Sequence, residues 1–452
     1  MSLYRKDSGP YVPAPTPFAG FIDGVPARSA CHVLVTGLTG LGKSRRCLGP
    51  GILMWDGPAV ALSSKPDLIE LCLEKRLSWG GYDKTYVLDL SGQVPDDVLP
   101  PGVEKVVVDP TVLVADDDDA IDLAGQLFKA GMAGQTEGSG GDGDAFWETS
   151  TTGLLAGVLR ASGDDGAQWA RAAVGRIKPS DPEDVEQPCW INAIGRLERM
   201  GCEMLAEEIL EATESEDKMR DSIRLTAKSA MAPWRRSTVC GRNGEKPFHP
   251  SILEDRRATL FIVAPADGAA AGAAVAAVDA ISTHWRRGQT RPDKLPHLLL
   301  AADELCNTLP WPKLPVVVTE SRAMGLCLLV AVQSTKQLAR RYGHDGMEEL
   351  RAVFPSILCL AGTATTEDSI LQAAAAAHGR TERHKLSVDH TGKQSQSSEL
   401  VDTLHFTDLV PQDVDHGRLL RGSAPASTGP AIDEAGVLVD LIDIDAIAFD
   451  VA

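Results

Sequence analysis

The residues most able to do chemistry are eight in a row, Gly37-Leu38-Thr39-Gly40-Leu41-Gly42-Lys43-Ser44. They fit G-x-x-x-x-G-K-[ST] in full, after an apolar run and before a helical one. Glycines at these places let backbone N–H groups wrap a phosphate, and the following helix turns its positive end toward it. Lys43 is expected to reach the β- and γ-phosphates, Ser44 to hold Mg²⁺, and Arg45 to extend the nucleotide contacts of the loop. The expected ligands are therefore ATP and Mg²⁺. A second candidate is Leu298–Glu304, an apolar strand ending in two acids. Asp303 is assigned to the metal and Glu304 to the attacking water. Gln333 ends the next apolar run and is placed to contact the γ-phosphate. Arg322 stands before that run and is a candidate arginine finger for a neighbouring subunit. The catalytic set is thus Glu304, Arg322, Gln333 and Lys43, and the metal set Ser44 and Asp303.

The elements that must position these groups alternate in type. Cys31–Thr36, Ala59–Ser63, Thr85–Leu90 and Lys105–Val108 read as strands, with a helix over Asp67–Leu77. From about Asp116 the segments read as helices: Phe146–Ala161, Asn192–Met200, Met204–Thr213 and Lys218–Trp234. Strands return at Ala258–Val263, His297–Ala302, Gly325–Ala331 and Ser356–Leu360, with a helix over Ala269–Arg286 and a last strand at Arg418–Arg421. Polar Arg380–Leu400 reads as a loop. This rhythm predicts an α/β fold, a P-loop NTPase core with a mainly parallel sheet, plus an inserted all-α domain. The expected organisation is an extended lead-in over 1–28, a nucleotide-binding domain over 29–115 and 246–430, an all-α insertion over 116–245 and an acidic tail over 431–452.

Composition narrows the class. The chain has 452 residues, 43% hydrophobic, enough for sizeable cores, and only 5% aromatic, which suits close helix packing over an all-β architecture. A net charge of −19 excludes nucleic-acid binding over the whole surface. DNA would need a confined basic site, for which Arg45–Arg46, Arg235–Arg236, Arg256–Arg257, Arg286–Arg287 and Arg340–Arg341 are candidates. Nine scattered cysteines with no C-x-x-C point to a reducing cytoplasm. No run approaches the length of a membrane-spanning helix and no signal-peptide core opens the chain, so membrane contact is expected only through partners.

The order of these features resembles the type IV secretion coupling proteins of the TraG/TraD kind, which belong with the FtsK/HerA ring translocases. The similarity spans roughly residues 30–425. It is carried by GLTGLGKS and VALSSKPDLIELCLEKR, by DAFW at Asp144–Trp147, and by PFHPSILEDRRATLFIVAP at Pro247–Pro265. LLLAADELCNTLPWPKLP at Leu298–Pro315, SRAMGLCLLVAVQSTKQLARRYG at Ser321–Gly343 and HGRLLRGSAPA at His416–Ala426 complete it. The resemblance implies a homo-hexamer that hydrolyses ATP between subunits to pump DNA through its pore, with Arg322 acting across the boundary. It also implies relaxase and secretion-channel partners and a peripheral place at the inner face of the cell membrane. Many members begin with transmembrane helices, and this sequence shows none. The alternatives are a double-stranded DNA translocase or packaging ATPase, or a nucleotide-regulated recruitment module for relaxase or protein substrates.

Overall fold

The structure, a computed structural model, describes residues 16–27, 29–132, 142–241, 245–265, 270–320, 323–377, 379–388, 394–421 and 436–447. The chain forms two compact units, residues 1–55 with 327–450, and residues 56–326.

In the first unit the strand order is Val25–Pro26, Phe21–Ile22, Val437–Asp440, His416–Leu420, Ser356–Leu360, His32–Thr36, Leu326–Val332. Its centre is parallel: Thr36 stands beside Val332 on one side and Cys359 on the other. All five residues of His32–Thr36 and all seven of Leu326–Val332 are buried. That is why Leu326–Val332 is continuously apolar and His32–Thr36 is polar only at its two ends, with no alternation: a parallel strand is covered on both faces. The edge is antiparallel, with Ile357 opposite Leu420, Leu419 opposite Val437 and Phe21 opposite Asp440. Part of the acidic C-terminal stretch thus supplies a strand.

In the second unit the order is Leu298–Ala302, Ala59–Ser63, Thr259–Val263, Thr85–Asp89, Glu104–Val107, Lys246–Pro247, and every described pairing is parallel. The helices Asp67–Gly80 and Ala271–Gly288 accompany these strands. The second is nearly all Ala, Gly and Val along its first half and is almost wholly buried, so the scarcity of aromatic residues here buys close packing. Asp279 on this helix accepts from Trp311 Nε1 and Lys313 Nζ, each at 3.0 Å.

From Asp117 to Cys240 the described elements are all helical, led by Asp117–Met132, Asp142–Ser162, Trp190–Met200, Glu203–Glu214 and Asp217–Ala230. This is the all-α part of the fold. A Cβ on Gly157 would lie 2.7 Å from Ile209 Cδ1, so that glycine sets how closely the helices Asp142–Ser162 and Glu203–Glu214 approach. Asp109 accepts from the Ala167 N–H at 3.1 Å, and Trp234 donates to the Val108 carbonyl at 2.8 Å, which fastens the helices to the strand Glu104–Val107.

Most predicted boundaries lie within one to three residues of the observed ones. The predicted loop at Arg380–Leu400 is instead a two-stranded antiparallel hairpin, Arg380–Val388 with Gln394–Asp402. Its described side chains are exposed or nearly so on both faces, so no apolar alternation marked it as strand.

Candidate nucleotide site

The loop Gly37–Ser44 follows the buried strand His32–Thr36. Gly40 and Gly42 hold φ of 84° and 83°, a region where a side chain strains the backbone. Nothing lies within 4 Å of a Cβ built on Gly40, so the loop has open space there. The Lys43 ammonium is buried and donates to the Gly37 carbonyl at 2.7 Å and the Leu38 carbonyl at 3.1 Å. It lies back across its own loop, where a phosphate bound by the loop would meet it. These features fit a triphosphate.

The helix that follows departs from the expected form. Lys43–Leu48 winds as a π-helix, with the Gly49 N–H bonded to the Ser44 carbonyl, before Gly49–Met54 continues as α-helix. Pro50 explains the widening. It has no N–H for the Arg46 carbonyl and its ring would strike that carbonyl in α register. Glycines on either side let the helix pack tightly: a Cβ on Gly49 would lie 2.6 Å from Ile444, and one on Gly51 2.3 Å from Leu329. Arg45 is exposed and pairs with Asp443 at 2.7 Å and Asp445 at 2.5 Å, which raises its pKa through those two hydrogen bonds.

Gln333 comes directly after Leu326–Val332, and the Gly37 N–H donates to the Val332 carbonyl at 3.3 Å. The structure therefore places Gln333 next to the strand residue that bonds to the start of the P-loop. Its own N–H donates to Gln337 Oε1 at 3.1 Å.

Asp303 and Glu304 lie in the second unit, at the C-terminal edge of its parallel strands, the edge where α/β sheets take ligands. Asp303 is buried; its N–H donates to the Leu62 carbonyl at 2.8 Å and its Oδ1 accepts from the Glu304 N–H at 2.9 Å. Thr308 closes the turn from its hydroxyl to the Asp303 carbonyl at 2.9 Å. Glu304 is half-buried with φ 49° and ψ 47°, a left-handed conformation that costs a non-glycine residue about 1–2 kcal/mol. Ser64 Oγ stands 3.4 Å from its Oε2. A strained acid at a strand end is the kind of position that function, not stability, explains. Arg322 lies outside the described residues, as do the side chains of Asp144–Trp147.

Sequence reasoning missed one charged group, Glu367, which is wholly buried in the first unit and bonds to Thr36 and Thr335. Thr36 immediately precedes the P-loop and Thr335 follows Gln333 by two. No local pattern marks an acid whose partners are 331 and 32 residues away.

A loop of this form after a buried parallel strand, an acid pair at a second strand end and a helical insertion define a RecA-like P-loop NTPase fold with an added all-α domain. Within that class, residues 297–413 match the family described as the TraM recognition site of TraD and TraG. The whole chain is similar in fold to the bacterial conjugative coupling protein TrwB. Against its complex with a non-hydrolysable GTP analogue the TM-score is 0.61 at 18% identity, over 96% of this chain and 91% of that one. Against its complex with ADP and Mg²⁺ the TM-score is 0.59 at 19% identity, over 95% and 90%. No curated protein sequence matches. The family match covers residues 297–413, and over the rest of the chain the likeness to TrwB is one of fold.

Proposed function

We propose that this chain is the ATP-driven motor of a conjugative type IV secretion system, a coupling protein that hydrolyses ATP to move DNA. The observation that carries the reading is the complete P-loop, with Lys43 folded across it, in a chain of coupling-protein fold. TrwB has been solved with ADP and Mg²⁺ and with a non-hydrolysable ATP analogue. In the proposed site Lys43 neutralises the β- and γ-phosphates, and the loop glycines with Leu38, Thr39, Leu41 and Arg45 frame them. The Ser44 hydroxyl and Asp303 carboxylate are the hard oxygen ligands that Mg²⁺ takes, and when bound it offsets phosphate charge. Glu304 orients the attacking water and Gln333 reports the γ-phosphate.

The working form is a homo-hexamer with DNA in its pore, and Arg322 serves the neighbour's site. The matched family model is named for TraM recognition, which supports contact with a relaxosome component; relaxase and channel proteins are further proposed partners. Among the described residues no helix is long and apolar enough to cross a membrane, so the proposed place is cytoplasmic, held at the inner membrane face by a partner.

The test is steady-state ATP hydrolysis with and without single- and double-stranded DNA, with mass measured in parallel. Wild type should hydrolyse ATP faster with DNA as it assembles, and Lys43→Ala should remain folded and be inactive. A folded Lys43→Ala variant with wild-type turnover overturns the proposal. Arg322→Ala mixed with Glu304→Gln should regain part of the activity each lacks alone. Confirmed subunit exchange with no regain removes the cross-subunit role.

A further inference from the structure

The short segment after Gln333 is tied, residue by residue, to the segment that starts the helix Asp368–Ala377. Ser334 Oγ donates to the Thr366 carbonyl at 3.3 Å. The Thr335 N–H donates to Glu367 Oε1 at 2.6 Å and its hydroxyl to Glu367 Oε2. Lys336 Nζ reaches Asp368 Oδ1 at 3.4 Å. Three consecutive residues thus bond to three consecutive residues. Glu367 Oε1 also accepts from the Thr36 hydroxyl at 2.7 Å, at the residue before the P-loop. Arg351 braces the cluster. Its Nε donates to Thr335 Oγ1 at 2.8 Å, and its Nη2 stands 3.9 Å from Glu367 Oε2.

The chemistry of this cluster is selective. A carboxylate accepts only, so both oxygens are filled by the Thr36 and Thr335 donors without conflict, while the Arg351 charge stands at 3.9 Å. The Thr335 hydroxyl donates to Glu367 and accepts from Arg351, so its one hydrogen and a lone pair are used in one direction. Buried at 0% exposure, Glu367 has no access to substrate and cannot take part in the phosphoryl step. It instead fixes two loops at once: the one that begins at Gly37 and the one that carries Gln333. Its own backbone also starts the helix Asp368–Ala377, through the Leu371 N–H to its carbonyl at 3.0 Å. That helix is followed in sequence by the hairpin strands Arg380–Val388 and Gln394–Asp402.

We propose that Glu367 is a positioning residue that locks the Gln333 loop to the P-loop, so that loss of the γ-phosphate at Gln333 is passed to the helix Asp368–Ala377 and the hairpin beyond it. This rests on the nucleotide reading of the same site. A bond network of this kind acts as one piece, and misplacing a loop by about 1 Å can cost about 10²-fold in rate while binding persists.

The experiment uses the full chain with Glu367→Gln, which keeps the shape and replaces one accepting oxygen by a donor. Two readouts are needed. In kinetics, kcat should fall by about 10²-fold with KM for ATP nearly unchanged, since the P-loop itself is intact. Glu367→Gln combined with Gln333→Ala should be no slower than Gln333→Ala alone, because both act through one loop. Independent effects that multiply would overturn the proposal. In hydrogen exchange, a non-hydrolysable ATP analogue should protect 37–46, 334–338 and 366–371 in wild type. In Glu367→Gln it should protect 37–46 while the response at 366–371 is lost. A wild type in which 37–46 responds but 334–338 and 366–371 do not sinks the coupling and leaves the nucleotide reading intact. A wild type in which 37–46 does not respond sinks both. Persistence of the full response in Glu367→Gln also overturns the coupling.

Discussion

Glu304 and Glu367 are both glutamates close behind strands of parallel sheet, and the molecule treats them in opposite ways. Glu304 is half-buried, on a left-handed backbone, with the Ser64 hydroxyl at the long distance of 3.4 Å. Glu367 is wholly buried and has both oxygens engaged by Thr36 and Thr335, with no positive φ. The contrast separates two jobs for one side chain. On the proposed reading, the acid that orients a water is left near the surface, and its backbone carries strain that the fold does not relax. An acid that must hold loops in place is saturated with donors and closed to solvent, because a buried carboxylate with unfilled valences would destabilise the fold.

The largest expected effect separates the two in kinetics and stability. Glu304→Gln should lower turnover by about 10²–10⁴-fold, the range for a removed general base, with ATP binding and the unfolding midpoint retained. Glu367→Leu should lose stability as well as rate: it strands the Thr36 hydroxyl and the Thr335 N–H and hydroxyl in an apolar site, a loss of about 3–5 kcal/mol. Denaturant titration beside an ATPase assay reads both. If Glu304→Gln proves the less stable variant and Glu367→Leu melts as wild type, the division of labour is wrong.

A buried histidine in the first unit extends the comparison to a group of the opposite charge type. His32 is wholly buried, accepts at Nδ1 from the Leu328 N–H at 3.1 Å, and has its pKa lowered to about 4 by burial. Its folded pKa lies below the unfolded value of about 6.5, so the unfolded chain takes up the proton first. Stability tied to His32 is complete above about pH 6.5 and falls as pH drops toward 4, by at most about 3 kcal/mol over that window. His32→Asn keeps an acceptor for Leu328 and should flatten this part of the stability profile. An unchanged slope between pH 6.5 and 4 would assign the acid sensitivity to other groups.

Much of the site could be read from sequence because its signals are local. Gly37–Ser44 are contiguous, and their glycines and Lys43 have no cheaper explanation. Asp303 and Glu304 end an apolar run, and Gln333 ends another. The strands were legible for the same reason: His32–Thr36 and Leu326–Val332 are buried on both faces, so Val33–Val35 and Leu326–Val332 are unbroken apolar runs. The hairpin Arg380–Asp402 was not, because a ribbon with both faces wet needs no apolar period. The strand Val437–Asp440 was hidden within an acidic stretch, since only Val439 of its four residues is buried. The π turn at Lys43–Leu48 follows from Pro50, a consequence visible only once the helix axis is known. Glu367 was illegible because its meaning lies in Thr36 and Thr335, which the chain brings to it from far away in sequence. Among these, the strained backbone of Glu304 is the one feature the sequence could not carry even in principle: an acid after a strand reads the same whether its φ is negative or 49°.

That strain gives the smallest expected effect and the sharpest test of the contrast. Glycine takes φ 49°, ψ 47° without the Cβ–carbonyl clash that a glutamate meets there, a relief of about 1–2 kcal/mol. Against this, glycine loses more backbone freedom on folding, about 0.5–1 kcal/mol. Glu304→Gly should therefore be more stable than wild type by about 0.5–1 kcal/mol while hydrolysing ATP no better than Glu304→Gln. Glu304→Ala is the control, because it deletes the same carboxylate and keeps the Cβ. Alanine should gain nothing in stability, so the difference between the two variants isolates the backbone. No such trade exists at Glu367, where every shortening removes bonds and relieves no left-handed strain. If Glu304→Gly and Glu304→Ala melt together, the left-handed turn is unstrained in solution and the carboxylate alone distinguishes Glu304 from Glu367. If glycine is stabilising and inactive, the fold is giving up stability at Glu304 to keep an acid at the end of its strand.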